Sequence, residues 1–306
     1  MFISIVIPVF NEKDNIHPLL DSLLPYLANY PHEVLFINDG SSDGTDQIIR
    51  TIAQKNTAIK LISFNRNFGH QIALMAGYSF AKGDAVISMD ADMQDPPSAI
   101  PQMIEKWQQG VKIVYAKRKK RDVDSAFKKK TAMIFYRFIN TLSDVKIPEN
   151  VGDFRLLDRT AVGYLTSLSE HAPFLRGLVA WSGYKEAYVV FDREKRYSGK
   201  THYSIPKMIN FALDGITSFS IKPLRLATYL GFASATVGFL GVLYGVIGKI
   251  FLPIPWVTGW TGLFVGIMFL GGVQLITIGI IGEYISKIYT EVLNRPHYLV
   301  KEKINL

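Results

Sequence analysis

A chain of 306 residues without one cysteine cannot build a disulfide framework, a thiolate zinc site or a cysteine nucleophile. Its formal charge of +8 leaves nucleic acid or an anionic membrane surface as partners to weigh. With 48% hydrophobic residues and a mean hydropathy of +0.15, it is too apolar for an ordinary soluble protein.

The length suits one large or two medium domains. The opening "MFISIVIPVF" lacks the basic leader and h-region of a cleavable signal peptide, so the N-terminus is expected to stay in the cytoplasm. Six histidines without HxxxH pairing argue against histidine-rich metal chemistry.

Short apolar runs then alternate with helical stretches. Strands are expected at 3–9, 33–39, 59–64, 84–90 and 112–118, with helices at 11–27, 41–55, 70–82 and 100–110. Such alternation implies an α/β domain with a mostly parallel sheet covered on both faces. Ligands of such sheets bind outside the carboxyl ends of strands, near a switch in strand order. The polar clusters Asn11-Glu12, Asp39, Asn65-Arg66 and Asp90/Asp92 fall at four of those ends and point to one shared crevice. Each has a structural alternative. Asp39 in "NDGSSDGT" could start a turn, and Asp43 or Asn11-Glu12 could cap a helix. No GxGxxG or GxxxxGK[ST] run is present, which argues against a dinucleotide or P-loop site.

The richest stretch is "AVISMDADMQDPP" (85–97). Val86 and Ile87 read as the end of a buried strand, and Asp90 and Asp92 follow where it opens into a loop. Two carboxylates one residue apart can reach the same hard cation, with Gln94 able to add an amide oxygen. Magnesium in such a site keeps room for substrate phosphates. The alternative is a plain acidic loop.

Toward the C-terminus, no residue from Leu226 to Gly248 is charged, and after Lys249 none is charged through Gly282. A bilayer-crossing helix needs about 20 apolar residues. Pro253, Pro255 and Gly259 break the second run, with Trp256 and Trp260 suited to an interface. Two transmembrane helices, 227–250 and 261–284, are therefore expected. Lys207, Lys222 and Arg225 precede the first span, and Lys287, Arg295, Lys301 and Lys303 follow the second. By the positive-inside rule both ends are cytoplasmic. The pairs Gly241/Gly245 and Gly262/Gly266 hint at close helix packing and a homo-oligomer. Two further segments, 125–143 and 205–227, read as interfacial helices on the bilayer surface or as ordinary amphipathic helices of the soluble core.

"VIPVFNE" (6–12), "INDGSSDGT" (37–45), "RNFGHQIALMAG" (66–77), "MDADMQDPP" (89–97) and "VGDFRLLDR" (151–159) closely resemble family-2 glycosyltransferases of the GT-A fold. The order of motifs and the terminal spans resemble, more narrowly, the GtrB-like polyprenyl-phosphate glycosyltransferases related to dolichyl-phosphate mannose synthase. The resemblance covers essentially the whole chain. It implies a Rossmann-like GT-A domain at 1–203, interfacial helices at 204–226, a transmembrane hairpin at 227–284 and a cytoplasmic tail at 285–306. It assigns Pro8, Glu12 and Asp39 to the base and ribose of a nucleotide-sugar. Asp90, Asp92 and Gln94 would hold Mg2+ or Mn2+ on the diphosphate. Arg118, the run Lys128, Lys129 and Lys130, and the basic loop with Arg193, Arg196 and Lys207 would meet the acceptor phosphate. Thr201-His202 stands where many relatives carry Ser-Lys. The absence of QxxRW, found in processive relatives, implies transfer of a single sugar.

The acceptor implied is undecaprenyl or another polyprenyl phosphate. A phosphate monoester has its second pKa near about 6, so it is already a competent nucleophile at neutral pH. The protein must then supply positioning and charge stabilisation of the leaving group. Asp153 is expected beside the anomeric carbon, orienting the sugar or accepting a proton; the alternative is a partner for Arg155. The resemblance further implies inversion and favours UDP-glucose, with GDP-mannose and an aminoarabinose donor left open. A membrane-anchored nucleotide-sugar scaffold without turnover is the non-enzymatic alternative. Nucleic-acid binding is disfavoured, because the basic residues gather around the spans and the 193–207 loop without a recognisable motif. Two spans are too few for a translocation path, so a separate flippase is expected to move the product across an inner (plasma) membrane.

Overall fold

The computed structural model describes residues 1–119, 145, 148, 151–171, 173–191, 217, 219–251 and 259–306. These fall into two compact units. One comprises the described residues up to 191 together with 295–306, and the other those between 217 and 294.

The first unit is built on an eight-stranded sheet. Its strands are β1 (Ile3–Val9), β2 (His32–Asn38), β3 (Ile59–Phe64), β4 (Ala85–Ser88), β5 (Ile113–Arg118), β6 (Val151–Asp158), β7 (Glu186–Phe191) and β8 (Val300–Ile304). The spatial order is β7-β5-β6-β4-β1-β2-β3-β8. The centre, β4-β1-β2-β3, is parallel throughout. Every residue of β1 and β3 is buried, as expected of continuous apolar strands covered on both faces. Helices α1 (Ile16–Leu27), α2 (Thr45–Lys55), α3 (His70–Phe80) and α4 (Ile100–Gln108) supply those covers.

β6 departs from the expected pattern. It enters antiparallel between β4 and β5, separating two strands that are successive in the chain. β7 then pairs parallel with β5, and β8 closes the other edge antiparallel to β3. Residues 295–306, read from the sequence as a tail, thus contribute a strand to this sheet. Short helices α5 (Arg159–Ser167) and α6 (Leu175–Trp181) follow β6. Strand order reverses between β4 and β1, where an α/β sheet opens a crevice at the carboxyl ends of its strands.

α1 starts later than the periodicity suggests, at Ile16, because Asn11 takes a left-handed φ of 57° and residues 11–15 form a turn. α3 lies close against the sheet at Gly77. A Cβ there would stand 2.1 Å from Val6 Cγ1 of β1, so the contact needs glycine.

The second unit consists mainly of α7 (Lys222–Phe251) and α8 (Trp260–Val292). Both present large apolar side chains outward, among them Phe232, Phe239, Leu275 and Ile278. Among the described residues one segment, Gly266–Val292, is long and apolar enough to cross a membrane, with mean hydropathy 1.6 over its most apolar stretch. The two spans expected from the sequence are met on this measure by one. The segments 125–143 and 192–204, most of 205–227 and of the 252–260 turn, and with them Lys128, Lys129, Lys130, Arg193, Arg196, Thr201, His202 and Lys207, lie outside the described residues.

Candidate active site

Three loops at the carboxyl ends of β1, β2 and β3 are tied together by their own polar side chains. The Asn11 amide donates to Ser41 Oγ at 3.0 Å, and Asn11 Oδ1 accepts from the Ser42 amide at 2.9 Å. The Glu12 amide donates to Thr45 Oγ1 at 3.0 Å. Burial works against the ionised form of Asp43, but the Thr45 hydroxyl and the amides of Thr45 and Lys13 donate to it and hold its carboxyl below the usual range. Asp39, nearly fully buried, accepts from the Phe68 amide at 2.6 Å and the Gly69 amide at 2.9 Å. Burial pushes its carboxyl up in spite of those amides and the nearby His70 and Arg66 charges. Gly40 makes the junction possible: its φ is +72°, and a Cβ would stand 2.5 Å from the Arg66 carbonyl carbon.

Beyond β4 the chain turns sharply through Asp90-Ala91-Asp92. Met93 takes φ 62°, a strained value for a side chain of that size. The Gln94 amide donates to Asp92 Oδ1 at 3.1 Å. His70, the first residue of α3, faces this turn, with Nε2 3.5 Å from Asp90 Oδ1 and 3.4 Å from Asp153 Oδ2. Desolvation disfavours the imidazolium, but the hydrogen bond to Asp153 and the charges of Asp90 and Asp153 raise its pKa to about 9.

Asp153 is buried and surrounded by cations. Arg155 Nη2 donates to Oδ1 at 2.7 Å, and Arg176 Nη2 of α6 donates to Oδ2 at 3.1 Å. Burial works against the ionised form, yet Arg176, His70 and Arg155 hold the carboxyl well below its ordinary value. A carboxylate so held is a poor proton acceptor. Burial pushes the Asp90 carboxyl up, His70 opposes it, and the charges of Asp153 and Asp92 add to the rise. Asp95 is pushed up to about 7, by burial and then by Asp90, although Arg118 stands 3.7 Å away.

A cavity of about 290 Å³ opens over these groups. Five of the residues expected from the sequence line it together: Pro8, Glu12, Asp39, Asp90 and Asp92. Gln94, Arg118 and Asp153 are not among the lining residues. Gln94 braces Asp92 through its backbone, Arg118 packs beside Asp95 and Gly152, and Asp153 sits behind His70. The sequence reading missed His70, Asn67 and Phe10 as lining residues, and Arg176 as a partner of Asp153. For His70 a signal existed: it opens the helix that follows the strand-end cluster Asn65-Arg66.

The acidic turn fits a divalent cation. Asp90 Oδ1 is buried and accepts no hydrogen bond among the described residues, and both Asp90 and Asp92 face the cavity. No group of three or more histidine or acidic side chains among the described residues is arranged to hold an ion alone. Two carboxylates on one cavity suit a magnesium-like ion bound through one or both of them, with substrate oxygens completing its shell.

Residues 4–165 match the sequence profile of glycosyl transferase family 2. The chain belongs to this family. The match includes every residue that lines the cavity. Relatives extend over nearly the full length. An uncharacterized glycosyltransferase of Synechocystis sp. is 45% identical, over 98% of this chain and 95% of the relative. The SfII prophage-derived bactoprenol glucosyl transferase of Shigella flexneri is 45% identical, over 99% and 98%. A prophage bactoprenol glucosyl transferase homolog of Escherichia coli is 44% identical, over 98% and 99%. The mixed sheet with helices on its faces is thus the GT-A sheet of a family-2 glycosyltransferase.

Proposed function

We propose that this glycosyltransferase moves one glucose from UDP-glucose to a polyprenyl phosphate such as undecaprenyl phosphate, with inversion, at the cytoplasmic face of the membrane. The observation that carries the reading is the convergence of Asp90 and Asp92 with Glu12 and Asp39 on one cavity, in a chain whose relatives include bactoprenol glucosyl transferases over their full length.

In this reading Pro8, Glu12 and Asp39 surround the base and ribose, and the diphosphate lies toward Asp90 and Asp92. An Mg2+ or Mn2+ ion held by those two carboxylates would supply Lewis-acid stabilisation of the departing diphosphate. A phosphate oxygen of the acceptor attacks the anomeric carbon, the bond from that carbon to the diphosphate oxygen breaks, and UDP leaves with the electron pair. The acceptor is already an anion, so no side chain need take a proton. Asp153 fixes His70 at the cavity wall, and Arg118 is the basic residue assigned to the acceptor phosphate, a role also assigned to Lys128, Lys129, Lys130, Arg193, Arg196 and Lys207 on their charge in the sequence alone.

Chain connectivity supports a hairpin of two spans. β7 precedes the long helices and β8 follows them, yet both belong to one sheet. A sheet on one side of a bilayer can be left and rejoined only through an even number of crossings. If α8 crosses, α7 is the available return. Both termini then share the side of the catalytic unit, which the basic flanks assign to the cytoplasm.

The test is incubation of purified protein with radiolabelled UDP-glucose, Mg2+ and polyprenyl phosphate. Label passing into the organic phase supports the reading. Labelling only from GDP-mannose or UDP-aminoarabinose would change the donor, and no labelling from any of them would favour a non-catalytic scaffold.

A further inference from the structure

The C-terminal segment does more than close the sheet edge. The Asn65 amide, first in the loop after β3, donates to the Leu299 carbonyl at 3.1 Å. One residue before each, Phe64 and Tyr298 stack with ring centroids 4.8 Å apart and planes 19° apart. Phe64 in turn meets Phe68 edge-on at 5.8 Å, and the Phe68 amide is one of the two that Asp39 holds. The next residues, Gly69 and His70, line the cavity, as does Asn67. An unbroken line of contacts therefore runs from Tyr298 through Phe64 and Phe68 to the cavity wall.

The segment is anchored on either side of that stack. Arg50 pairs with Glu302 at 2.6 Å, and Asn305 Nδ2 donates to the carbonyls of Ala53 and Ile59 at 2.7 and 2.9 Å. At its beginning, His171 donates to the Arg295 carbonyl at 2.7 Å and stacks on His297. The ladder of β8 on β3 is irregular between Ser63 and Phe64, where the loop begins. The pairing shifts register there but continues through Phe64 with Val300 and the Asn65 amide on Leu299, and the Phe64–Tyr298 stack reinforces it where the loop begins.

We propose that residues 295–306 act as a clasp on the loop 65–69 and so set the affinity for the nucleotide-sugar, with Tyr298 as the positioning residue. This rests on the cavity being the donor site. The clasp begins three residues after α8 ends at Val292. The helix that carries the segment long and apolar enough to cross a membrane thus runs, through a short stretch of chain, directly into the clasp.

The test uses the full-length protein in detergent and compares wild type with Tyr298→Ala and Tyr298→Phe. Without substrate, hydrogen exchange at the Phe68 and Gly69 amides should accelerate about tenfold in Tyr298→Ala while β1 stays protected. With UDP-glucose as variable substrate, KM should rise about fivefold and kcat stay within about twofold, the pattern of lost ground-state binding. Tyr298→Phe keeps the ring and should restore both. Unchanged exchange in Tyr298→Ala overturns the proposal. So does equal damage from Tyr298→Phe, or acceleration spread evenly over the sheet, which marks general destabilisation. If Tyr298→Ala does not fold, Tyr298→Leu is read by the same criteria. A wild type inactive with UDP-glucose would refute the donor assignment alone, because the exchange comparison still decides the clasp.

Discussion

Arg155 Nη2 donates to Asp153 Oδ1 at 2.7 Å, and no part of that arginine side chain reaches solvent. The two residues lie on the same face of β6, two apart, in the middle of a sheet. Arg176 and His70, both partly open to solvent, complete the pairing from α6 and α3, so a charge cluster centred on the buried Asp153 and Arg155 joins three elements beside the cavity.

Asp153→Asn is therefore expected to act first on stability. Removing one partner of a buried ion pair leaves the other uncompensated, at a cost of about 3–5 kcal/mol. Chemical denaturation of the detergent-solubilised protein should show a lower midpoint than wild type. Replacing Arg155 by Met in the same chain should recover part of the loss, since no buried cation then lacks a partner. An unchanged midpoint in Asp153→Asn would mean that the cluster is not holding the three elements together.

Asp92→Asn tests the cation site from the other side. The amide keeps an acceptor for the Gln94 backbone but loses the charge facing the cavity. Transfer should fall by about 100-fold or more, the scale of losing a group that stabilises the departing charge. Membrane insertion and melting should stay as in wild type. Chelation of divalent ions should silence the wild type, with Mg2+ or Mn2+ restoring it. Near-normal turnover in the variant, or full activity in chelator, would remove the metal assignment.

The first five strands were legible because each is a short apolar run bounded by turn residues; β1 and β3 keep the expected limits, and β2, β4 and β5 differ from theirs by a residue or two. β6 was hidden by its own chemistry. "VGDFRLLD" carries Asp153, Arg155 and Asp158 at positions that the sheet buries, and a local pattern cannot show that their charges are matched across space. β8 reads as a polar tail, since "VKEKI" alternates with charge on the exposed side of an edge strand. The site was legible at strand ends, where Asp39, Asp90 and Asp92 stand in turn-forming sequence. Arg176 was not, and for His70 only its place at the start of α3 was, because their pairing with Asp153 comes from the packing of α3 and α6 over β6.

Asp158 offers a pH prediction. It caps α5 through the Thr160 amide at 3.0 Å and also accepts from Trp107 Nε1 at 2.7 Å and Lys112 Nζ at 2.9 Å. Burial opposes ionisation, but Thr160, Trp107 and Lys112 together hold the carboxyl far below its usual range. A depressed folded-state pKa gives stability that is complete above the unfolded value of about 3.9 and is lost as pH falls below it. The denaturation midpoint should decline on acidification from about pH 5, and Asp158→Ala should flatten that decline. At neutral pH the same variant should lose about 1–2 kcal/mol, as for other N-caps. An identical acid limb in the variant would show that Asp158 does not contribute to it.

Gly77 sets how closely α3 approaches the sheet, and α3 carries His70 at its other end. An alanine methyl at this position would stand 2.1 Å from Val6 Cγ1 and 3.3 Å from Ile37 Cγ1, well inside contact distance. β1 is fixed by parallel pairing on both sides, so the helix must give way. Overpacking of this kind costs about 1–3 kcal/mol. Gly77→Ala should lower the denaturation midpoint accordingly and weaken donor binding, because displacement of α3 moves His70 away from Asp90. Val6→Ala removes the opposing methyl groups and, alone, should cost about 1 kcal/mol or more through the cavity it leaves. The two changes combined should be less harmful than their sum, with donor KM returning toward the wild-type value. Strict additivity would show that the helix does not bear on β1 at this point.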